Sequence, residues 1–528
     1  MSPVAERKFW GWGREGEGVS ESEVHQLGDS LHDRLGFSDL RLVDPPRLSD
    51  IRLREPRVQP PALLVHRCAA DTRSRAEHTL GKSLRDYVRG LRAQYDHPPD
   101  FVAYPADEAD LVAIVDWAAT ERVAVVPYGG GSSVADGIEP RVGDSYRGAV
   151  SVDLRHLDRV LEVDVESRSA LIEAGTLGPQ LEDRLRPYGL SLRFFPQSFE
   201  FSSLGGWIAT RAGGHYATMF TQADDFVQAL RVITPQGLVQ TRRLPSDGAG
   251  VSADRMFIGS EGSLGLITQA WMRLQDRPTH RAGASVHFDG FEQAWRGVQA
   301  ISQSGLWPSN CRLLDHNEAL HSGAGDGTTA ILVLGFESAD HPVAPSMDRA
   351  LQIAREFGGS LPPEEPDEDE ARRWRRFFLR GPYLKEGYTR LGVIRETFET
   401  ACTWDRFPEF HAEVMDAARK AVADECGAGI VACRFTHVYP DGPAPYYTVI
   451  APARENAELD QWAAIKQSAS DAVLRNGGTI THHHAVGRYH RPWYDQQRPD
   501  LFAAALRSVK STLDPAGVMN PGVLVDPV

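Results

Sequence analysis

Apolar and polar positions change their period several times along this chain of 528 residues. From Pro98, FVAYP, ADEADLVAIVDWAATE and RVAVVPYGGG predict a strand, an amphipathic helix and a second strand that ends in glycines. Strand-like runs continue through GAVSVDL, LEVDVESRSALIEAG, FVQALRVITPQGLVQT and GLITQAWMRLQ, up to a crossover at RPTHRAG just past Asp276. Beyond it, ASVHFDGFEQAWRGVQAISQSG and TTAILVLGFE with SMDRALQIAREFGG alternate strand and helix patterns and predict a separate α+β domain. Residues 1–97 mix charged stretches, prolines and short helical patterns, as a helical lead-in that wraps another domain. The pattern divides the chain into 1–97, a first domain 98–277, a second domain 278–510, and a turn-rich segment 511–528 that returns to the first domain.

Composition narrows the class. The length suits two to four domains with a cleft between them. Apolar residues make up 41% and charged residues 24%, as in folded globular proteins. A net charge of -15 and no basic stripe argue against nucleic-acid binding, because the phosphate backbone would be repelled. Only six of the 57 basic residues are lysine. The five cysteines lack CxxC spacing, so neither a disulfide framework nor a zinc ribbon is expected, and a reducing cytoplasm is. No apolar signal region and no run of about 18 apolar residues is present, so no transmembrane span is expected, while peripheral membrane contact stays open. The charge run PPEEPDEDEARRWRR reads as a solvated loop entering a helix.

VVPYGGGSSV places three glycines directly after a strand, where bare backbone N–H groups can converge on an anion. The candidate residues are Pro127, Tyr128, Gly129, Gly130, Gly131, Ser132, Ser133, Val134 and Ala135. The alternative is a tight turn at a sheet edge. The spacing is neither GxGxxG nor GxxxxGK[ST], and no lysine stands at the place a P-loop needs one, which disfavours nucleotide triphosphate hydrolysis. PQSFEFSSLGGWIATRAGG adds Gln197, Ser198, Glu200, Ser202, Ser203, Gly205, Gly206, Thr210, Arg211, Ala212 and Gly213. FIGSEGSLGLIT adds Gly259, Glu261, Gly262, Ser263, Leu264, Gly265 and Ile267. Three such stretches within about 180 residues fit backbone laid along a large ligand.

In this order PYGGGSSV, SFEFSSLGGWIATRAGG and GSEGSLGLIT resemble the FAD-binding domain of the vanillyl-alcohol-oxidase (PCMH) type flavoproteins, and LDPAGVMNPG resembles their C-terminal turn. Within that group KFWGWG, RETFETACTWDR, CRFTHVYPDGPAPYY and THHHAVGRYHRPW resemble the alkyldihydroxyacetonephosphate synthase (alkylglycerone-phosphate synthase) family over nearly the whole chain. The resemblance implies an α+β fold: a two-subdomain FAD-binding domain, an α+β substrate (cap) domain with an antiparallel sheet, and the N-terminal lead-in. It implies non-covalent FAD and a homodimer. It also implies exchange of the acyl chain of acyl-dihydroxyacetone phosphate for a fatty alcohol, with the flavin as an electrophile and no net oxidation.

By position Tyr446 matches the family's catalytic tyrosine. A phenol titrates near ~10 and needs nearby positive charge or donors to act as a base at neutral pH. The other reading is an aromatic core residue, which suits Tyr447 better. Arg312 matches a family arginine suited to phosphate or a flavin edge, against a surface salt bridge. Lys385 stands where the family has a substrate-contacting arginine, with Arg380 able to compensate. If 479–486 is a strand, His482 and His484 face one way and His483 the other, so the tract does not cage a metal and none is expected. The resemblance places all three histidines with the catalytic groups and makes them, with Arg488 and His490 as substrate-binding residues, a cationic wall facing the flavin and the substrate headgroup. Residues 372–394 are the candidate interfacial helix, or else a buried amphipathic one. The rival functions are an FAD-dependent oxidoreductase of a 2-hydroxy acid and a non-enzymatic flavin carrier.

Overall fold

The structure, a computed structural model, describes residues 6–38, 40–214, 216, 218–361 and 370–526, the side chains of 370–377 excepted. Four strands build the first sheet: β1 (Cys68–Ala69), β2 (Phe101–Ala103), β3 (Val123–Tyr128) and β4 (Gly148–Asp153), ordered β1-β2-β4-β3. β2 and β3 both run parallel to β4, and β2 and β4 are buried throughout. Parallel strands are covered on both faces, which is why they read as continuous apolar runs. The crossover is a helix, Glu108–Glu121, capped by Asp107 and ended by Arg122 in the left-handed region at φ 54°. Near the chain end the Val518 carbonyl accepts from Val125, and Asn520 donates back to the Val125 carbonyl, so this segment runs along β3.

The second sheet is antiparallel, β5-β6-β10-β8-β9, from β5 (Val160–Asp164), β6 (Ser169–Glu173), β8 (Val227–Thr234), β9 (Gly237–Gln240) and β10 (Leu266–Arg273). β7 (Leu190–Ser191) pairs separately with β11 (Gln275–Asp276). One apolar cluster joins these sheets and the helix Leu204–Thr210, from Val150 to Trp207 and Ile267.

Six antiparallel strands form the third sheet: β12 (His280–Phe288), β13 (Asn310–Leu314), β14 (Ala330–Ser338), β15 (Val393–Glu399), β16 (Ile430–Val438) and β17 (Pro443–Pro452). Their order is β12-β14-β13-β16-β17-β15. Helices Phe291–Gln303, Ala344–Glu356, Phe407–Cys426 and Glu458–Arg475 share an apolar core with this sheet, where Trp295, Phe407, Phe410 and Ile465 meet Phe398, Cys433, Phe435 and Tyr447. Full burial of such an apolar side chain contributes about 1.5–3 kcal/mol. Alternation along the strands then turns Arg434 and Thr436, Tyr446, and Arg395 and Thr397 toward the opposite side, where they line a cavity. A register shift between Phe435 and His437 brings His437 to that side too.

The N-terminal segment closes over this junction. Arg7 donates to the Gly130 carbonyl, Trp10 Nε1 donates to the Tyr87 carbonyl, and Trp12 packs edge-on against Phe201. The candidate interfacial helix spans Glu370–Arg390, and Val393 and Ile394 already belong to β15. Its buried side carries Phe378, Glu386 and Arg390, while Leu379 is 56% exposed. Most of the charge run PPEEPDEDEARRWRR lies outside the described residues.

Candidate active site

One cavity lies between the glycine stretches and the third sheet. Pro127 to Val134 form one wall, directly after β3. Among the described residues no group of the chain accepts from the N–H of Gly129, Gly130, Gly131 or Ser132, and all four line the cavity. Unpaired N–H groups gathered at one concavity are a cradle for an anion such as a pyrophosphate. The loop also approaches its neighbour too closely for a side chain: a Cβ on Gly130 would lie 1.8 Å from the Phe201 carbonyl oxygen. Donor set and shape fit FAD.

Further along, Gln197, Ser198, Ser202, Ser203, Gly205, Gly206, Thr210, Ala212, Gly213, Glu261, Gly262, Gly265 and Ile267 also line the cavity. Other expected residues do not. The Ala135 carbonyl accepts from Arg488 and Tyr489, Glu200 accepts from the Tyr383 hydroxyl, and Arg211 pairs with Asp224. Gly259, Ser263 and Leu264 shape the turn behind the wall; Gly259 and Ser263 bond back to Ile208 and Ser260. Glu261 accepts from the N–H of Val486 and Gly487, and burial pushes its carboxyl up to about 7.

On the opposite wall Tyr446, 5% exposed, lies under the Arg434 guanidinium, whose carbon is 4.0 Å from the ring centroid. Arg434 is itself held by Glu318 at 2.5 Å, and breaking a buried pair of this kind costs about 3–5 kcal/mol. His483 stacks near-parallel to Tyr446 at 6.0 Å, and His484 meets it edge-on at 5.4 Å. Burial raises the Tyr446 phenol above its usual value, opposed by Arg434, Thr397 and Arg395, so it rests protonated. The positive charge beside it comes from arginines and not from the histidines.

The histidine tract is not a strand. It is a turn organised by Glu399, which accepts from the backbone N–H of His482 at 2.5 Å, His483 at 3.2 Å and His484 at 2.8 Å, and from the Thr481 hydroxyl at 2.6 Å. Burial would raise the Glu399 carboxyl, but attraction to the histidine rings once they take up protons in acid, with the Thr481 hydroxyl, outweighs it and holds the carboxyl well below its ordinary value. The two-face alternation therefore fails. His483 and His484 line the cavity, whereas His482 turns aside to the Tyr439 hydroxyl. The cationic wall fails as well: burial pushes His482 and His490 down to about 4 and His484 well below its usual value, leaving neutral imidazoles at pH 7. Arg488 and His490 stand behind the wall, donating to the Asp136 and Pro521 carbonyls and to the Ala485 carbonyl.

Arg312 and Lys385 do reach the cavity. Burial lowers Arg312 to about 9, with Arg434 adding to the effect, and lowers Lys385 to about 8. Lys385 donates to the Lys82 carbonyl at 2.9 Å, while Arg380 pairs with Glu23 and does not line the cavity.

Several lining residues were missed: Lys82, Arg395, Thr397, Arg434, His437 and Asn520. Lys82 comes from GKSLRD, far before the glycine loop, and its N–H donates to the Ser133 carbonyl at 2.6 Å. Asn520, in the NPG turn, donates to the carbonyls of Gly137 and Glu261. With His437 on β16, the fold brings one ring nitrogen each of His437, His482 and His483 within 4.8 Å of one another, a grouping no sequence spacing displays. Among the described residues no helix is long and apolar enough to cross a membrane.

Comparisons with known proteins fit this geometry. The family described as "FAD binding domain" matches residues 99–242, and "FAD linked oxidases, C-terminal domain" matches 277–524. The alkyldihydroxyacetonephosphate synthase of Trypanosoma brucei brucei is 28% identical, covering 98% of this chain and 92% of its own. That of Dictyostelium discoideum is 29% identical over 92% of this chain and 82% of its own. A solved alkyldihydroxyacetonephosphate synthase superposes with a TM-score of 0.80 at 25% identity, covering 97% of this chain and 98% of that one. The chain matches both the FAD-binding and the C-terminal domain families of FAD-linked oxidases, takes FAD as its cofactor, and is similar over nearly its whole length to the alkyldihydroxyacetonephosphate synthases.

Proposed function

We propose that this flavoenzyme exchanges the acyl chain of acyl-dihydroxyacetone phosphate for a fatty alcohol, forming an ether bond without net oxidation. The observation that carries the reading is the buried Tyr446, set between Arg434 and His483 in a cavity where Arg312, Arg395 and Lys385 also converge. Bound FAD supplies an electrophilic ring to the reacting carbon. Arg312, Arg395 and Lys385 bind the phosphate, and their low-dielectric setting strengthens that attraction. Tyr446 first passes its phenolic proton to a neutral imidazole beside it, that of His483 or His484, and as the phenolate takes the proton from the carbon bearing the acyloxy group. The phenolate that this role requires is favoured by the Arg434 charge over the ring. The neutral rings of His483 and His484, fixed by Glu399, stand ready to accept a proton. Trp12, Tyr87 and Phe378 give the cavity apolar walls that exclude water.

The test is anaerobic incubation of the holoenzyme with acyl-dihydroxyacetone phosphate and a fatty alcohol. Stoichiometric fatty acid release and ether formation without an electron acceptor are expected. Flavin reduction by a 2-hydroxy acid, with no acid release from the ester, would replace this reading by the oxidoreductase one. Because both chains are insoluble, the proposal includes peripheral membrane contact through the Glu370–Arg390 helix, supported by the exposed Leu379; vesicle flotation of Leu379→Asp checks it. A homodimer is included too, checked by solution mass.

A further inference from the structure

Hydrogen bonds lead outward from the cavity through the histidine tract. Nδ1 of His483, beside Tyr446, lies 3.1 Å from Nδ1 of His482. Nε2 of His482 lies 2.8 Å from the Tyr439 hydroxyl, which lies 2.9 Å from Thr221 Oγ1. Tyr439 is half-buried and is followed by exposed Pro440 and Asp441, while Thr221 is buried, so the series leads from the cavity to a partly exposed tyrosine.

Two placements of protons satisfy these contacts, and the Glu399 carboxylate 3.5 Å from His483 Nδ1 favours the one with a proton on that nitrogen: His483 donates from Nδ1, His482 accepts at Nδ1 and donates from Nε2, and Tyr439 donates to Thr221. Each ring then needs one proton and one lone pair, which is the neutral imidazole that burial enforces at His482 and His483. The third imidazole stays outside the series, because His437 Nε2 faces the Gly214 carbonyl at 2.8 Å and can only donate there. The charged groups facing the path are Glu399, 3.5 Å from His483 Nδ1, with Arg434 and Arg312 near His483, Arg211 near His482 and Asp224, Asp225 and Asp441 around Tyr439.

We propose that His483, His482 and Tyr439 form the path by which the proton released in each turnover leaves the buried site. The path rests on the proposed reaction. There the acyloxy group departs as a carboxylate, the alcohol O–H bond breaks as its oxygen bonds the same carbon, and the proton taken from that carbon returns to it. One proton per turnover is left over. It enters at His483, the Nδ1 proton of His483 moves to His482, the Nε2 proton of His482 moves to the Tyr439 oxygen, and the Tyr439 hydroxyl proton passes to Thr221 or water. Tautomerisation of the two rings restores the starting state. Tyr439 touches no reacting atom and is a positioning residue of the relay.

Tyr439→Phe keeps the ring and removes the link. In the holoenzyme, kcat for ether formation is expected to fall about tenfold, less than the roughly 10²–10⁴-fold of a group acting on the reacting atoms because only proton exit is slowed, with KM unchanged and a larger D2O effect on kcat. His482→Asn should do the same, and the double variant should be no worse than either single one. Unchanged kcat and D2O effect, or a change confined to KM, would overturn the path. Nitrogen NMR of the substrate-free holoenzyme gives a reading that needs no turnover: Nε2 of His482 protonated, Nδ1 not, with the Nε2 signal shifted in Tyr439→Phe. The opposite tautomer overturns the path, as does a tightly held metal ion on His437, His482 and His483. A wild-type enzyme that shows the expected NMR pattern but releases no acid sinks the reaction and not the hydrogen-bonded series.

Discussion

The two walls of the cavity are built on different principles. The glycine wall works through backbone: consecutive small residues after β3 expose N–H groups, and the chain neighbours supply the geometry. The opposite wall works through side chains gathered from distant strands. Arg434, Tyr446 and Glu399 are successive partners across β16, β17 and β15, and Glu399 then reaches across 82 residues to the Thr481 hydroxyl and on to the histidine backbone. The backbone wall should tolerate changes of side-chain chemistry but not of bulk, and the side-chain wall the reverse.

The sharpest test of this contrast is Tyr446→Phe, which keeps shape and removes one hydroxyl. Acid release should fall by about 10³-fold, within the usual range for a lost acid–base group, while flavin content stays that of the wild type. Substantial acid release would remove Tyr446 as the base. The converse change is Gly130→Val, whose Cβ collides with the Phe201 carbonyl. It should lower FAD retention by at least about tenfold, on the scale of about 1.4 kcal/mol or more, with the far-ultraviolet dichroism of the fold preserved. Full flavin loading would show that the loop is not the cradle.

A smaller effect is expected from Glu399→Gln, which keeps the size but removes the charge that accepts three N–H groups. A fall in kcat of about tenfold, on the scale of a strengthened hydrogen bond to a charged group, should come without loss of FAD. Equal losses in flavin content and rate would mean that Glu399 supports both walls.

The least effect lies behind the wall, at His490. Its folded pKa is pushed down to about 4 by burial, against an ordinary value of 6.5, so between those pH values the unfolded chain binds a proton that the folded one refuses. Stability from this group is present above pH 6.5 and is lost as pH falls toward 4. The carboxyls of Glu261, Asp136 and Asp315, raised to about 7, act in the opposite sense, so the comparison must be with His490→Gln. The melting temperature of the wild type should fall more steeply than that of the variant across this window, and parallel profiles would refute the assignment.

How far each wall was legible follows from these principles. A glycine loop after an apolar strand is a local feature, and Gly129 to Ser133 stand where their spacing placed them. Tyr446 was reached through resemblance, whereas Arg434 beneath it sits in the quoted stretch CRFTHVYPDG without any local mark of its role. Lys82 shows why motif spacing misleads: a P-loop lysine is sought within the motif, but here one arrives from the bend between the helices Thr72–Glu77 and Leu84–Leu91 and bonds to Ser133 through its backbone. His437 entered the site only because a register shift changed which residues of β16 face the cavity.

THHHAVG marks the boundary between what sequence and tertiary structure determine. Sequence alone established two α+β regions, the strand-borne glycine loop and a cluster of imidazoles near the chain end, because periodicity and backbone freedom are local properties. The orientation and charge of those imidazoles were decided by tertiary structure. A carboxylate on another strand captured three successive N–H groups, bent the tract out of the alternation a strand would impose, and burial then stripped the rings of their protons.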